Sequence, residues 1–270
     1  MFSQRYHAIS LIAVFLALGI GVALGVAIGE NGVVSDASKD LENSLRGDLR
    51  QVRSNNSDLR RDLDQRDRFA VAAYPALVRN LMPDWRVGIV AMCSLPSGYT
   101  SAVGDAVEPA GGQVDSVTVI ADPLPKGKAR ERLGRRVGRG LVSGSHFIDG
   151  ARKDLFSTTR GQYRGLDAVV LVRGCDGSKR KAKGRAKRSQ ERFEAALIDA
   201  LRDSRVKVAG VEETGTDPSQ VGYMKDRGVT SVDDLDLVAG KTALVWGLLG
   251  GEGHYGVKSS AERYLPSPPD

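Results

Sequence analysis

The 270-residue chain holds two cysteines, three histidines and four methionines. Two cysteines are too few for a disulfide-stapled scaffold or a zinc finger. No G-x-x-x-x-G-K-[ST] phosphate loop is present, and no G-x-S-x-G nucleophile turn follows a strand. The histidines are scattered at positions 7, 146 and 254. His146 follows Ser145, but adjacency in sequence does not make a catalytic pair. With no catalytic set, a non-enzymatic protein is expected. What remains is 41% hydrophobic and 27% charged, a globular balance that excludes a disordered chain or a polytopic membrane protein. The formal charge of +6 points to anionic neighbours.

Ala8 to Ile28 carries no charge over 21 residues. A bilayer core needs about 20 apolar residues as helix, so this stretch can span. A secretory signal has a shorter apolar region of about 7–15 residues, although Gly25-Val26-Ala27 is a tolerable cleavage pattern. An uncleaved anchor over 1–30 is the reading adopted, with a cleaved signal as its alternative. Arg5 and His7 precede the run while Glu30 and Asp36 follow it, which favours a cytoplasmic N-terminus and an exported remainder. Gly19-x-Gly21 lies inside this span and is no nucleotide fingerprint. Gly21, Gly25 and Gly29 recur every fourth residue, a spacing that lets two spans approach closely.

Residues 31–82 predict a long helix capped at Ser35. Leu45, Leu49, Val52, Leu59 and Leu63 recur at four, three, seven and four residues. With Leu45 at d, Asn56 falls at an a position, where one asparagine fixes register in two-stranded coils. Asp48 at g faces Arg53 at e of a partner, and Asn55 faces Arg60. A parallel homodimer is expected; the alternative is one amphipathic helix lying on its own domain. Pro75 and Pro83 are expected to break the helix.

From residue 83 to 270 short apolar runs alternate with helical stretches. Strands are expected at Arg86–Cys93, Val114–Ile120, Asp167–Val172, Lys207–Val211 and Thr242–Leu249. Helices are expected at Thr100–Ala110, Lys126–Val142, Ser189–Asp203 and Pro218–Arg227. Runs rich in Val, Ile and Leu suit parallel strands buried on both faces. The fold class is α/β: a transmembrane helix and a coiled-coil helix, then a doubly wound, mostly parallel sheet of flavodoxin or Rossmann type.

Two basic runs stand out. Lys179–Arg188 carries seven basic residues in ten and reads as a solvated loop. Lys126–Arg139 has seven against one acid, Glu131. An exported domain rarely meets nucleic acid, so anionic lipid or cell-wall polymer is the expected contact, with a purely solubilising role as the alternative. The soft-metal candidates are Met92, Cys93 and Cys175. In a 2-1-3-4-5 sheet both cysteines end adjacent strands, at the switch point where ligands bind. Thiolate with thioether suits Cu(I), an oxidising compartment favours a disulfide, and two buried free thiols are the third option.

Phe2–Gly25, Gly228–Gly250 and Gly253–Pro266 together resemble the MctB copper-transport family of envelope proteins, and the order of anchor, coil and α/β domain matches over almost the whole chain. The string Gly253-His254-Tyr255-Gly256-Val257-Lys258 is the most specific part, while Lys179–Arg188 looks like an insertion. The resemblance implies a role in copper transport or homeostasis, with copper as ligand or cargo and a copper-handling partner. A related branch is associated with the division septum, which gives the alternative: an envelope or septal receptor with no metal role. The expected location is the cell membrane, with an outer envelope layer as the runner-up. His254 and Tyr255 are placed in a glycine-flanked loop after the last strand, beside Asp233, Asp234 and Asp236. There they either line a ligand or partner site or form a turn that docks the C-terminal tail, and docking is favoured.

Overall fold

The computed structural model describes residues 4–30, 33–121, 124, 130–143, 155–161, 165–174 and 185–269. It divides into two compact units, Met1–Arg66 and Asp67–Asp270.

In the first unit, helix α1 (Gln4–Glu30) contains a continuous apolar stretch, Tyr6–Ala27, long enough to cross a membrane. Its large side chains, including Ile12, Phe15 and Leu16, are exposed. Helix α2 (Val33–Val78) runs for 46 residues, of which those up to Arg66 belong to this unit. Leu45, Leu49, Val52, Leu59 and Leu63 lie on it with more than half of each side chain exposed, and Asn56 is exposed among them.

α2 starts two residues before Ser35 and does not break at Pro75, which lies within its last turn. Tertiary packing outweighs the lost N–H there. Tyr74 and Val78 are buried in the α/β core, and Tyr74 donates its hydroxyl proton to the carbonyl of Ala106 at 2.6 Å.

The second unit is a seven-stranded sheet in the order β3-β2-β1-β4-β5-β6-β7. Its strands are β1 (Arg86–Met92), β2 (Gln113–Ile120), β3 (Phe156–Gly161), β4 (Ala168–Arg173), β5 (Lys207–Val211), β6 (Thr230–Val232) and β7 (His254–Tyr255). Every pairing is parallel except β2 with β3. β1 and β4 are fully apolar inside, since helices cover both faces. One face carries the end of α2, α3 (Tyr99–Val107) and α7 (Val238–Leu248), packed through Val103, Val107, Leu244 and Leu248 onto Ile89, Val170 and Ala209. The other carries α4 (Arg130–Ser143), α5 (Arg185–Arg202) and α6 (Val221–Lys225), packed through Val137, Phe193, Leu197 and Met224 onto Val90, Val169 and Leu171.

Four expectations change. The run expected as a strand at Thr242–Leu249 is helical through Leu248, within α7, because a short, mostly buried apolar run reads alike in strand and helix. His254 and Tyr255 form β7 rather than a loop. The edge strand β3 and the interior strand β6 lie outside the expected set: FSTTRG is polar on an outer edge, and TSV is three residues long. Arg185–Arg188 belongs to α5, while residues 179–184 lie outside the described residues.

The α4–α5 contact is set by glycine. A Cβ on Gly134 would stand 2.3 Å from the Phe193 carbonyl oxygen, and one on Gly138 would stand 2.8 Å from both the Ala200 Cβ and the Leu197 carbonyl oxygen. Gly47 in α2 has open space around it. Helix propensity favours alanine over glycine by about 1 kcal/mol. Gly47→Ala should therefore leave stability unchanged or raise it. Gly134→Ala should lower the stability of the α/β unit, because overpacking costs typically about 1–3 kcal/mol. Denaturant midpoints of the two variants check this.

Candidate functional site

The carboxyl ends of β5, β6 and β7 gather four carboxylates. Glu212 follows β5, Asp233 and Asp234 follow β6, and Asp236 lies two residues further. Glu212 is 3% exposed, and Asp233 and Asp234 are fully buried. Such a cluster is costly unless each charge is matched or neutralised.

Three of the four are matched. Lys258 Nζ donates to Glu212 Oε1 at 2.7 Å, to the Thr216 carbonyl at 2.8 Å and to the Glu213 carbonyl at 3.0 Å, using all three ammonium protons. Glu212 also accepts from Ser219 Oγ and from the backbone N–H of Gln220. Asp233 Oδ1 accepts the N–H of Val257 at 2.8 Å, and its Oδ2 accepts that of Lys258 at 3.2 Å. Asp236 accepts from the backbone N–H and hydroxyl of Thr214.

Backbone geometry makes this fit. Gly256 has φ of 137°, and a Cβ there would lie 1.9 Å from Asp233 Oδ1. Only glycine lets the chain fold over the carboxylate. Tyr255 is buried with its hydroxyl donating to the Glu252 carbonyl at 2.8 Å, and His254 Nδ1 lies 2.9 Å from Ser231 Oγ. Burial lowers the His254 pKa, with Glu262 opposing in part. The expected neighbourhood of His254, Tyr255, Asp233 and Asp234 is thus real in space: β6 and β7 are hydrogen-bonded neighbours, and the Asp233 N–H donates to the Tyr255 carbonyl. The partners not singled out from sequence are Glu212 and Tyr99, whose hydroxyl accepts the Glu213 N–H at 3.1 Å.

Asp234 differs. Both its carboxylate oxygens are buried without a hydrogen-bond partner, and the first turn of α7 lies directly over it, where a Cβ on Gly240 would stand 2.7 Å from Oδ1. Burial, followed by the neighbouring Asp233 and Asp236 charges, pushes its pKa up to about 7.

Of the soft-metal candidates, Met92 and Cys93 lie on opposite faces of the sheet. Met92 is fully buried in the core beneath α4 and α5, whereas Cys93, just past the end of β1 with φ of 72°, lines a groove on the opposite, α3 side of the sheet. Cys93 is disulfide-bonded. Cys175, the sequence's other cysteine, lies outside the described residues. The strands that precede them, β1 and β4, are adjacent, and Ser94 Oγ donates to the Gly174 carbonyl at 2.7 Å across that junction. The groove has a volume of about 1040 Å³, and Ser94, Thr100, Ser101, Val117 and Val119 are among its lining residues. No group of three His, Cys, Asp or Glu side chains able to hold a metal occurs among the described residues.

The raised Asp234 pKa fixes the sign of a pH dependence. With its ordinary value of 3.8 in the unfolded chain and about 7 when folded, the folded state binds the extra proton between these limits. The stabilisation is fully present below about pH 4 and is lost as pH rises through about 7. Asp234→Asn should flatten this decline, measured as unfolding midpoints of the detergent-solubilised chain from about pH 4 to about pH 8. Parallel profiles for the two proteins would show that Asp234 is ionised in the fold.

Comparison with known proteins gives one consistent family. The family model described as "Copper transport outer membrane protein, MctB" matches residues 1–147 and 148–266. Proteins named "Copper transporter MctB" from Mycobacterium bovis and Mycobacterium tuberculosis are 24% identical to this chain, covering 97% of it and 98% of their own length. The N-terminal apolar helix α1, the long helix α2 and the α/β sheet all fall within those matched segments, and the chain belongs to the MctB copper transport outer membrane protein family.

Proposed function

We propose that this chain serves copper transport or homeostasis at the cell envelope, as a single-pass anchored protein whose α/β unit lies outside the cytoplasm and catalyses no reaction. The family match along almost the entire chain carries this reading. The Tyr6–Ala27 stretch supports the anchor. The disulfide at Cys93 supports the oxidising side of the membrane, since cytosolic thiols are kept reduced.

Copper here is cargo. In the oxidised protein Cys93 offers no thiolate, and Met92 is walled into the core. Direct capture of Cu(I) by Met92, Cys93 and Cys175 therefore needs reduction first, together with movement of Met92. A single span per chain gives an ion no hydrophilic path either, so the exported unit is read as handling copper or a copper-handling partner, not as forming the pore.

Deleting the gene should change the copper content of cells, measured by elemental analysis, and shift their copper tolerance; unchanged content and tolerance would overturn the copper reading. Stoichiometric Cu(I) titration of the full chain in detergent then separates the modes. Uptake only after reduction, weakened by Cys93→Ser, identifies a direct ligand set. No uptake in either redox state assigns the role to protein contacts.

The second reading, a receptor held by a parallel homodimeric coil at the envelope or septum, is favoured by the apolar seam on α2. Leu45, Leu49, Val52, Leu59 and Leu63 are each more than half exposed in the single chain. Covering such a repeat with a second copy is the usual solution. Leu59→Asp should convert dimer to monomer in sedimentation equilibrium of the solubilised chain, and an unchanged mass would sink the coil.

A further inference from the structure

The α4–α5 layer carries a charge pattern that the core does not explain. On α4, Gly134, Val137, Gly138, Gly140 and Leu141 are buried, while Arg132, Arg135, Arg136 and Arg139 are exposed. Those four positions are spaced three, one and three residues apart, so they form one stripe along the outer side of the helix. α5 runs alongside: Arg130 Nε donates to Ser189 Oγ, Gly134 abuts Phe193 and Gly138 abuts Ala200. Arg188 and Arg192 are exposed on α5, level with the start of the stripe. Glu131, the one acid on α4, reaches Arg135 only at 3.9 Å.

We propose that this arginine stripe is a docking surface for the phosphates of an anionic bilayer. Charge complementarity supports it, and so does the residue type. A guanidinium matches two phosphate oxygens at once, which an ammonium does not. The glycine-mediated contact with α5 holds the stripe on a rigid helix pair, suited to a planar array of headgroups. The apolar face of α4 is already used by the core, so binding is electrostatic, with no insertion of the helix into lipid. This inference does not depend on a copper role.

The test holds the full chain in phosphatidylcholine nanodiscs, so that α1 is already occupied. Sucrose-loaded vesicles are then added, either pure phosphatidylcholine or with about 30 mol% phosphatidylglycerol. The chain should sediment with the anionic vesicles only, and should be released at about 0.5 M salt, where the screening length is about 4 Å. R132Q/R135Q/R136Q/R139Q should weaken partitioning on the order of a hundredfold, and R132Q/R139Q roughly tenfold. The double variant and the salt titration of the unaltered chain keep the test decisive if the quadruple variant misfolds. Equal sedimentation with both vesicle types, or undiminished binding by a folded quadruple variant, would overturn the proposal. So would capture by linear polyphosphate beads without any vesicle binding, which would give the stripe to a phosphate polymer.

Discussion

One ammonium group governs the carboxyl edge of the sheet. Lys258 Nζ sits among Glu212 Oε1 and two backbone carbonyls, and its own N–H caps Asp233. A buried carboxylate such as Glu212 is tolerable only with a charge partner, and removing that partner costs several kcal/mol. The tail that delivers Lys258 must therefore cross the edge at one register. That register makes β7, because Ser231 and Val232 pair with His254 and Tyr255 as the chain passes. Gly253 and Gly256, at φ of 148° and 137°, are the hinges that bring it there. The string from Gly253 to Lys258 is thus a clasp. Its Lys258 side chain and the N–H groups of Val257 and Lys258 are engaged inside the protein.

Asp234 is what the clasp leaves over. Its neighbours on either side are satisfied by the tail and by Thr214, yet its own oxygens face the underside of α7. Burial first, then repulsion from Asp233 and Asp236, favours its protonated form. Gly240 is the corollary: any side chain there would collide with the Asp234 carbonyl, 2.0 Å from the Cβ position. The acid and the glycine fix how closely α7 can approach β6.

The layered α/β unit was legible because β1, β4 and β5 are short Val- and Ala-rich runs separated by amphipathic stretches, and that pattern has one common solution. The neighbourhood of β1 and the strand bearing Ala168–Arg173 followed from the same reasoning. Elements at the margin escaped it. β6 and β7 are three and two residues long, too short for any period to register; β6 is held by its pairing with β5, and β7 by the tail that Lys258 ties down. The strand expected at Thr242–Leu249 failed for the opposite reason: α7 packs on nearly every side, which erases the polar face that marks a helix. Asp233, Asp234, His254 and Tyr255 were visible as a group in sequence, but Glu212, 21 residues before Asp233, could be joined to them only by sheet order.

Burial and charge together explain why a copper ligand set is harder to read than the fold. Met92 and Cys93 are consecutive, and consecutive positions at a strand end turn to opposite faces, so adjacency in sequence works against a shared ion. A soft-metal site needs sulfurs converging within bonding distance, and one of these fills the core under α4 while the other is oxidised. On the proposed reading the sulfur chemistry of this chain is redox-gated: the disulfide that holds Cys93 at the end of β1 also withholds its thiolate. On that reading copper handling by the oxidised protein falls to contacts with other molecules, since neither sulfur is open to the ion.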